Sequence, residues 1–278
     1  MNATVARGEN GRAASPHGTL VVQSHRTPLP YAWIERCLAS VRVWCARHGY
    51  AYRFIGDELF ARLPTALRDK TRKQLVVATD LARLLVLQEK LREGYHTVLW
   101  IDADVLVISP TLLVLPDTPC AVGREVWVQH DRHGRLRCYR KVHNAFLMFR
   151  RGDSFLDFYA DTAARLLALN AGPMPPQFLG PKLLTALHSV ACLPVLESAG
   201  MLSPLVIRDM LSGGGPALDL FMERSSSPAA AVNLCSSSCD SGQISARELE
   251  TLIDHFWQRS RPFDGSGGRA PSSAWPER

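Results

Sequence analysis

From Thr19 onward the sequence switches repeatedly between a strand-like and a helix-like hydrophobic period. "TLVVQS" (19–24) is a short β-rich run, and "YAWIERCLASVRVWCARHG" (31–49) carries apolar residues at helical spacing and stops at a glycine. "YAYRFIGD" (50–57) alternates as a strand, and "KQLVVATDLARLLVLQEKLREG" (73–94) is a long helical segment ending at Gly94. "TVLWID" (97–102) is a buried strand, with "VLVIS" (105–109) continuing or following it. Strands separated by helices cannot pair as simple hairpins. They line up side by side, with the helices packed on the sheet faces. The pattern therefore predicts an α/β fold with a mostly parallel, Rossmann-type sheet flanked by helices.

The second half is less regular. "PCAVGREVWVQH" and "LRCYRKVHNAFLMFR" read as strands around the turn "DRHG" (131–134), and "SFLDFYADTAARLLALN" (154–170) as an amphipathic helix. "LGPKLLTALHSV" (179–190) opens another helix with a proline near its first turn. "ACLPVL", the Gly-rich "SGGGP" (212–216), "AAAVNL" (229–234) and a last helix "SARELETLIDHFWQ" (245–258) follow. There is no internal repeat and no clear linker. Residues 18–258 read as one domain with an irregular C-terminal lobe, between Gly-, Ser-, Pro- and Arg-rich tails at 1–17 and 259–278 that are expected to be disordered.

A chain of 278 residues with 46% hydrophobic and 21% charged residues can bury a full core without staples. No apolar stretch reaches the roughly 20 residues of a membrane span, and the first 18 residues lack the apolar core of a secretory signal. The seven cysteines are odd in number and scattered, so the expectation is reduced thiols in a cytoplasmic protein. Cys235 and Cys239 have no second Cys/His pair at finger spacing, which argues against zinc. The net charge of +6 permits an anionic partner without naming one. The basic residues form no single dense block, and no nucleic-acid partner is expected. The richest stretches, "RDKTRK" (68–73) and "RHGRLRCYRK" (132–141), read as solvated faces or as surfaces for a phosphate-bearing ligand.

Two features point to chemistry. Asp102 and Asp104 lie between the apolar runs "VLW" and "VLVIS". Positions i and i+2 of a strand share a face, so the two carboxylates project together if strand geometry holds, and a turn there would serve equally. Two unpaired carboxylates beside a buried strand need a cation, a donor array or solvent. A hard divalent ion takes such oxygens and keeps phosphate oxygens in its shell, and open α/β sheets bind ligands at the carboxyl ends of their strands. On the 73–94 helix, Asp80 and Arg83 share a face amid aliphatic residues. They are either an ion pair on an exposed stripe or a pair at a cleft, with Arg83 orienting Asp80 toward a polyhydroxylated ligand.

"TDLARLLVLQEKLREGYHTVLWIDADVLV" resembles the core of the DxD glycosyltransferases of GT-A fold, as in the glucosylating toxins and the Golgi-type α-mannosyltransferases. There a helix bearing S/T-D-x-x-R leads into a strand ending in D-x-D. "VHNAFLMFRRGDSF" (142–155) resembles their downstream N-A/G strand, "LGPKLLTAL" a G-P-x-x-L-T element, and "AVNLCSSS" (231–238) lies where a late His or Asn completes the metal site. The usual Gly-Gly before the strand is here "REGYH", and the late position is Asn233. The resemblance implies transfer of a sugar from a nucleoside-diphosphate sugar to a glycan, lipid-linked or protein acceptor, with retention. It makes Asp102 and Asp104 catalytic, with Asp104 chelating Mn²⁺ or Mg²⁺ against the diphosphate, Asp102 contacting the ribose or the metal, and Asn233 as a further metal ligand. It gives Asp80 and Arg83 the donor sugar, and Asn144, with His143 as a further candidate, the pocket wall. No transmembrane segment is implied, and peripheral membrane contact is compatible with such acceptors.

Other readings compete. "WIDADVLV" also fits the strand end of haloacid-dehalogenase-like phosphatases, with Asp102 as nucleophile, Asp104 as general acid, and Lys141, Asp153 and Asp157 in supporting parts. That motif normally opens its domain, whereas here two βα units precede it. A non-catalytic nucleotide-sugar-binding module would keep the fold without the reaction. A nucleotidyltransferase of the same fold would want a Gly-rich loop that "VVQSHRTPLP" does not supply.

Overall fold

The computed structural model describes residues 18–260 and Trp275. Strand β1 (Thr19–Ser24) leads into helix α1 (Ala32–His48), strand β2 (Ala51–Ile55), a 3-10 turn (Asp57–Arg62) and helices α2 (Thr65–Lys70) and α3 (Leu75–Arg92). Strands β3 (Thr97–Ile101), β4 (Val105–Val107), β5 (Cys120–His130) and β6 (Leu136–Arg150) follow. Helix α4 (Phe155–Leu169), a π-turn (Phe178–Lys182), helix α5 (Leu183–Ala191) and strands β7 (Val195–Leu196) and β8 (Ala199–Met201) come next. Helices α6 (Pro204–Leu211) and α7 (Pro216–Arg224), strand β9 (Ala231–Asn233) and helices α8 (Ser236–Asp240) and α9 (Ala246–Ser260) complete the order.

The central sheet runs β2-β1-β3-β6-β5-β7. β1 is parallel to β2 and β3, and β5 to β7, while β6 alone runs the other way. The architecture is thus mixed α/β with a mostly parallel sheet flanked by helices, as the alternation of periods predicts. Every residue of β3 is buried, as a central strand covered on both faces must be. α3 explains its own position. Past its exposed first turn, Val77, Leu81, Leu84, Val86 and Leu87 point around the helix, so its middle is buried and packs against β3 and α4.

The run after β3 does not continue that strand. The Val105 N–H donates to Asp102 O at 3.1 Å, turning the chain, and β4 leaves to pair antiparallel with β9 in a second sheet, β4-β9-β8. Asp102, Ala103 and Asp104 therefore form the bridge between two sheets. The β5–β6 hairpin closes at Asp131, whose Oδ1 accepts from the His133 and Arg135 amides, with left-handed Gly134 completing the turn.

The expected N-terminal tail, 1–17, lies outside the described residues, as does most of the C-terminal one. Two points differ from that expectation: α9 runs to Ser260, and Trp275 is packed against the domain. Its ring stacks on Phe221 of α7 and meets Phe256 of α9 edge-on. All seven cysteines are free thiols. No helix among the described residues is long and apolar enough to cross a membrane.

Candidate active site

The carboxyl end of β3 meets the middle of α3 and the start of the buried half of β6. Three carboxylates and one guanidinium gather there. Arg83 Nη1 donates to Asp102 Oδ1 at 3.0 Å and to the Asn144 carbonyl at 2.8 Å, while its Nη2 lies 3.2 Å from Asp80 Oδ1. The Asn144 side-chain amide donates to the same Asp80 oxygen at 2.8 Å. Asp80 and Arg83 are buried, not an ion pair on an exposed stripe, so their charges are held by each other and by the strand ends. The sequence-predicted group Asp80, Arg83, Asp102 and Asn144 is one connected network.

Burial pushes the Asp80 carboxyl up to about 6, against the pull of Arg83 and Asn144. Burial also works against the charge of Arg83, but Asp102 and Asp80 outweigh it and raise its pKa. The second oxygen of Asp80, Oδ2, is buried against the π-turn, whose Gly180 backbone amide also favours the charged carboxylate. It faces Gly180 of the π-turn, where a Cβ would stand 2.6 Å from Asp80 Oδ2 and 2.6 Å from Asn144 Nδ2. Tyr159 of α4 holds that turn through a 3.0 Å bond to Leu179 O.

Asp102 and Asp104 point to different partners, because the turn at 102–105 ends strand alternation. Asp102 Oδ1 also accepts from Trp100 Nε1 at 2.6 Å, and the Asp102 backbone is fixed by Ala145 O and Gln23 Nε2. Its Oδ2 makes no hydrogen bond with a described residue, and the side chain is 26% exposed. Asp104 is buried. Its Oδ1 accepts from Asn233 Nδ2 at 2.7 Å and its Oδ2 from the Ser236 amide at 2.8 Å. Burial, and then the charge of Asp102, raise the Asp104 carboxyl above its ordinary range.

The donor set for a hard divalent ion is small: Asp102 offers one oxygen without a hydrogen bond, and both Asp104 oxygens already accept from Asn233 and Ser236. Among the described residues no group of three or more His, Cys, Asp or Glu could hold a metal, so such an ion would draw the rest of its shell from ligand and water. Cys37 and Cys235 lie near Asp104, but burial and then its charge raise both thiols far up, leaving no thiolate to compete. Asn233 differs from its expected part. Its amide nitrogen faces Asp104 and its oxygen accepts from the Cys235 amide at 2.7 Å. As oriented it braces Asp104 and offers no oxygen outward.

His143 is also corrected. It is buried, Nε2 bonds Ala199 O at 3.1 Å and Nδ1 accepts from the Ala145 amide. Burial lowers its pKa to about 4. Both nitrogens are occupied, so it has nothing to offer a substrate. Its ring fills the space over Gly123, where a Cβ would stand 2.2 Å from it, beside the register shift in β5. The residues of the phosphatase reading do not converge either. Lys141 is exposed on the hairpin over the Tyr139 ring, Asp153 Oδ1 accepts from the Phe155 amide at the start of α4, and Asp157 pairs with Gln88. Sequence reasoning missed Trp100, Gln23, Gly180 and Ser236. Gln23, a lone amide directly after the apolar run "LVV", was the available signal, and it is wholly buried.

No protein-family model matches the chain, and no curated protein matches its sequence. Among solved structures, it is similar to a glycosyltransferase involved in the glycosylation of the major capsid of PBCV-1, at 12% identity over 85% of this chain and 98% of that one, with a TM-score of 0.47. It is also similar to 4-diphosphocytidyl-2C-methyl-D-erythritol synthase from Anaerococcus prevotii DSM 20548, at 9% identity over 65% of this chain and 87% of that one, with a TM-score of 0.34. Neither likeness is close enough to carry function, which is argued from the site.

Proposed function

We propose that this protein is a metal-dependent glycosyltransferase that moves a sugar from a nucleoside-diphosphate sugar to a hydroxyl acceptor, with retention at the transferred carbon. The observation that carries the reading is the buried Asp80–Arg83–Asp102–Asn144 network at the carboxyl end of β3, with Asp102 Oδ2 making no hydrogen bond to a described residue on a partly exposed side chain. A sugar ring is a set of hydroxyl donors, and a carboxylate oxygen short of a hydrogen bond is the acceptor they fit. Arg83 would hold Asp80 and Asp102 in place, and Asn144 would fix which Asp80 oxygen faces the ring. Trp100 would keep Asp102 oriented with its open oxygen toward the ligand. When bound by Asp102 and Asp104, Mn²⁺ or Mg²⁺ supplies positive charge against the diphosphate that departs. The retaining outcome and the sugar-donor class come from the motif resemblance.

The test is calorimetric titration of UDP, GDP and their sugars into the protein with Mn²⁺ and with EDTA, on wild type, Asp104→Asn and Asp80→Ala. Binding of one diphosphate only with the cation, lost in Asp104→Asn, is expected. Asp80→Ala should keep affinity for the bare diphosphate. It should lose about tenfold or more for the sugar donor, since a hydrogen bond to a charged group contributes about 1.5–3 kcal/mol. Equal binding in EDTA, or equal weakening of both ligands in Asp80→Ala, sinks the assignment.

A further inference from the structure

We infer that the corner between α2 and α3, together with the C-terminal end of α4, is a docking surface for an anionic lipid bilayer. The corner concentrates charge of one sign. Arg68, Lys70, Arg72 and Lys73 are all exposed, and Asp69 is the one carboxylate among residues 65–76. Asp69 pairs with Arg72, and Arg68 and Lys73 form no ion pair among the described residues. Immediately after this run, Leu75 and Val76 in the first turn of α3 stand 59% and 56% exposed.

Two cross-links bring a further aliphatic side chain to the same place. Lys70 Nζ donates to Ala168 O at 2.9 Å, and Gln74 Nε2 donates to Met174 O at 2.9 Å. They tie the corner to the end of α4, where Leu169 is 83% exposed, and to the loop that leads into the π-turn. Single exposed aliphatic residues are ordinary on a protein surface. Three of them beside four cations make the composition that a bilayer interface selects, apolar side chains for the acyl boundary and cations for anionic headgroups.

Position gives the surface a purpose. Val76 precedes Asp80 by four residues, about 6 Å along the helix axis, and the loop from Met174 runs to Gly180, which faces Asp80 Oδ2. A bilayer on this corner would lie beside the buried network. The inference goes beyond the sugar-transfer reading and does not depend on it, because membrane binding is measured without donor or turnover.

The experiment is co-sedimentation of the full chain with vesicles of phosphatidylcholine alone and of phosphatidylcholine with phosphatidylglycerol. The variants are Leu75→Ser/Val76→Ser and Arg68→Gln/Lys73→Gln, each checked by thermal melting. All four residues are exposed, so folding should be unchanged. Wild type is expected to partition onto the anionic vesicles and not the neutral ones. Neutralising the two cations should lower partitioning by roughly thirtyfold, at about 1 kcal/mol per cation, and the serine pair should also lower it. Absence of wild-type partitioning, or equal partitioning onto neutral vesicles, overturns the inference. So does full retention by the serine pair, or displacement by a DNA duplex, which would mark a general polyanion site. Self-association abolished by the serine pair without vesicle binding assigns the patch to a second copy instead, and also overturns it.

Discussion

Asp80, in the candidate site, and His143, in the neighbouring core, are two buried titratable groups whose acid-base behaviour opposes. Asp80 is raised to about 6 by burial, so between its ordinary range near 3.8 and that value the folded protein holds a proton that the unfolded chain has lost. Its contribution to stability is complete below the ordinary value and is lost as pH rises through about 6. His143 is lowered from 6.5 to about 4 by burial. Its contribution is complete above 6.5 and is lost as pH falls toward 4. The two slopes cancel in part over the same window. Asp80→Asn should remove one of them, so that its unfolding free energy, relative to wild type, improves by roughly 1–3 kcal/mol from pH 4 to pH 6. Urea unfolding of ligand-free protein across that window checks this, and a constant difference between the two proteins would refute it. At this scale the sequence was legible where the residues share an element. Asp80 and Arg83 read correctly as partners because helical spacing puts them on one face. Asn233 and His143 did not, because which way an amide or imidazole turns is decided by the Cys235 and Ala199 backbone groups, distant in sequence or fixed only by the fold.

Elements with a long, pure period were legible: β1, α1, α3, β3, β6 and α4 stand where their patterns place them. Short ones were not. α2, α6, α7 and β8 have too few residues to display a period, and the β4-β9-β8 sheet is joined to the first half of the chain by β4–β9 pairings such as Val105 with Asn233, far apart in sequence. The π-turn is the instructive case. "LGPKL" reads as the start of a helix, but its glycine is required by what it touches. A methyl group at position 180 would meet Asp80 Oδ2 and Asn144 Nδ2 at once, and Asp80 is pinned by Arg83 while Asn144 is pinned by Asp80. Gly180→Ala should therefore break the Asn144–Asp80 hydrogen bond and destabilise the protein by about 1–3 kcal/mol. Gly172→Ala is the control, since a Cβ there meets nothing within 4 Å, and its melting temperature should match wild type. If Gly180→Ala is equally silent, the π-turn does not press on the site.

At the scale of the molecule, the two sheets are joined by the Asp102–Asp104 bridge, and the lobe around the second sheet is closed by an aromatic from far along the chain. Trp275 is 8% exposed, stacks 5.7 Å from Phe221, and donates from Nε1 to Ala229 O at 2.9 Å, just ahead of β9. β9 in turn ends at Asn233, the residue that braces Asp104. The composition of residues 259–278 reads as tail because Gly, Ser, Pro and Arg dominate it, and one tryptophan does not change an average. It can still change an energy, since an indole buries a large apolar area and here also satisfies a carbonyl. Trp275→Ala should lower the unfolding free energy by about 3–5 kcal/mol, the usual loss for a core aromatic cut to alanine. Trp275→Phe should keep most of the stacking and lose about 1 kcal/mol with the hydrogen bond. The ranking wild type, phenylalanine, alanine in urea midpoint, at constant slope, is the expected result. Identical midpoints for all three would mean that Trp275 contributes nothing to the lobe, and that β9 is held in place by its two neighbouring strands alone.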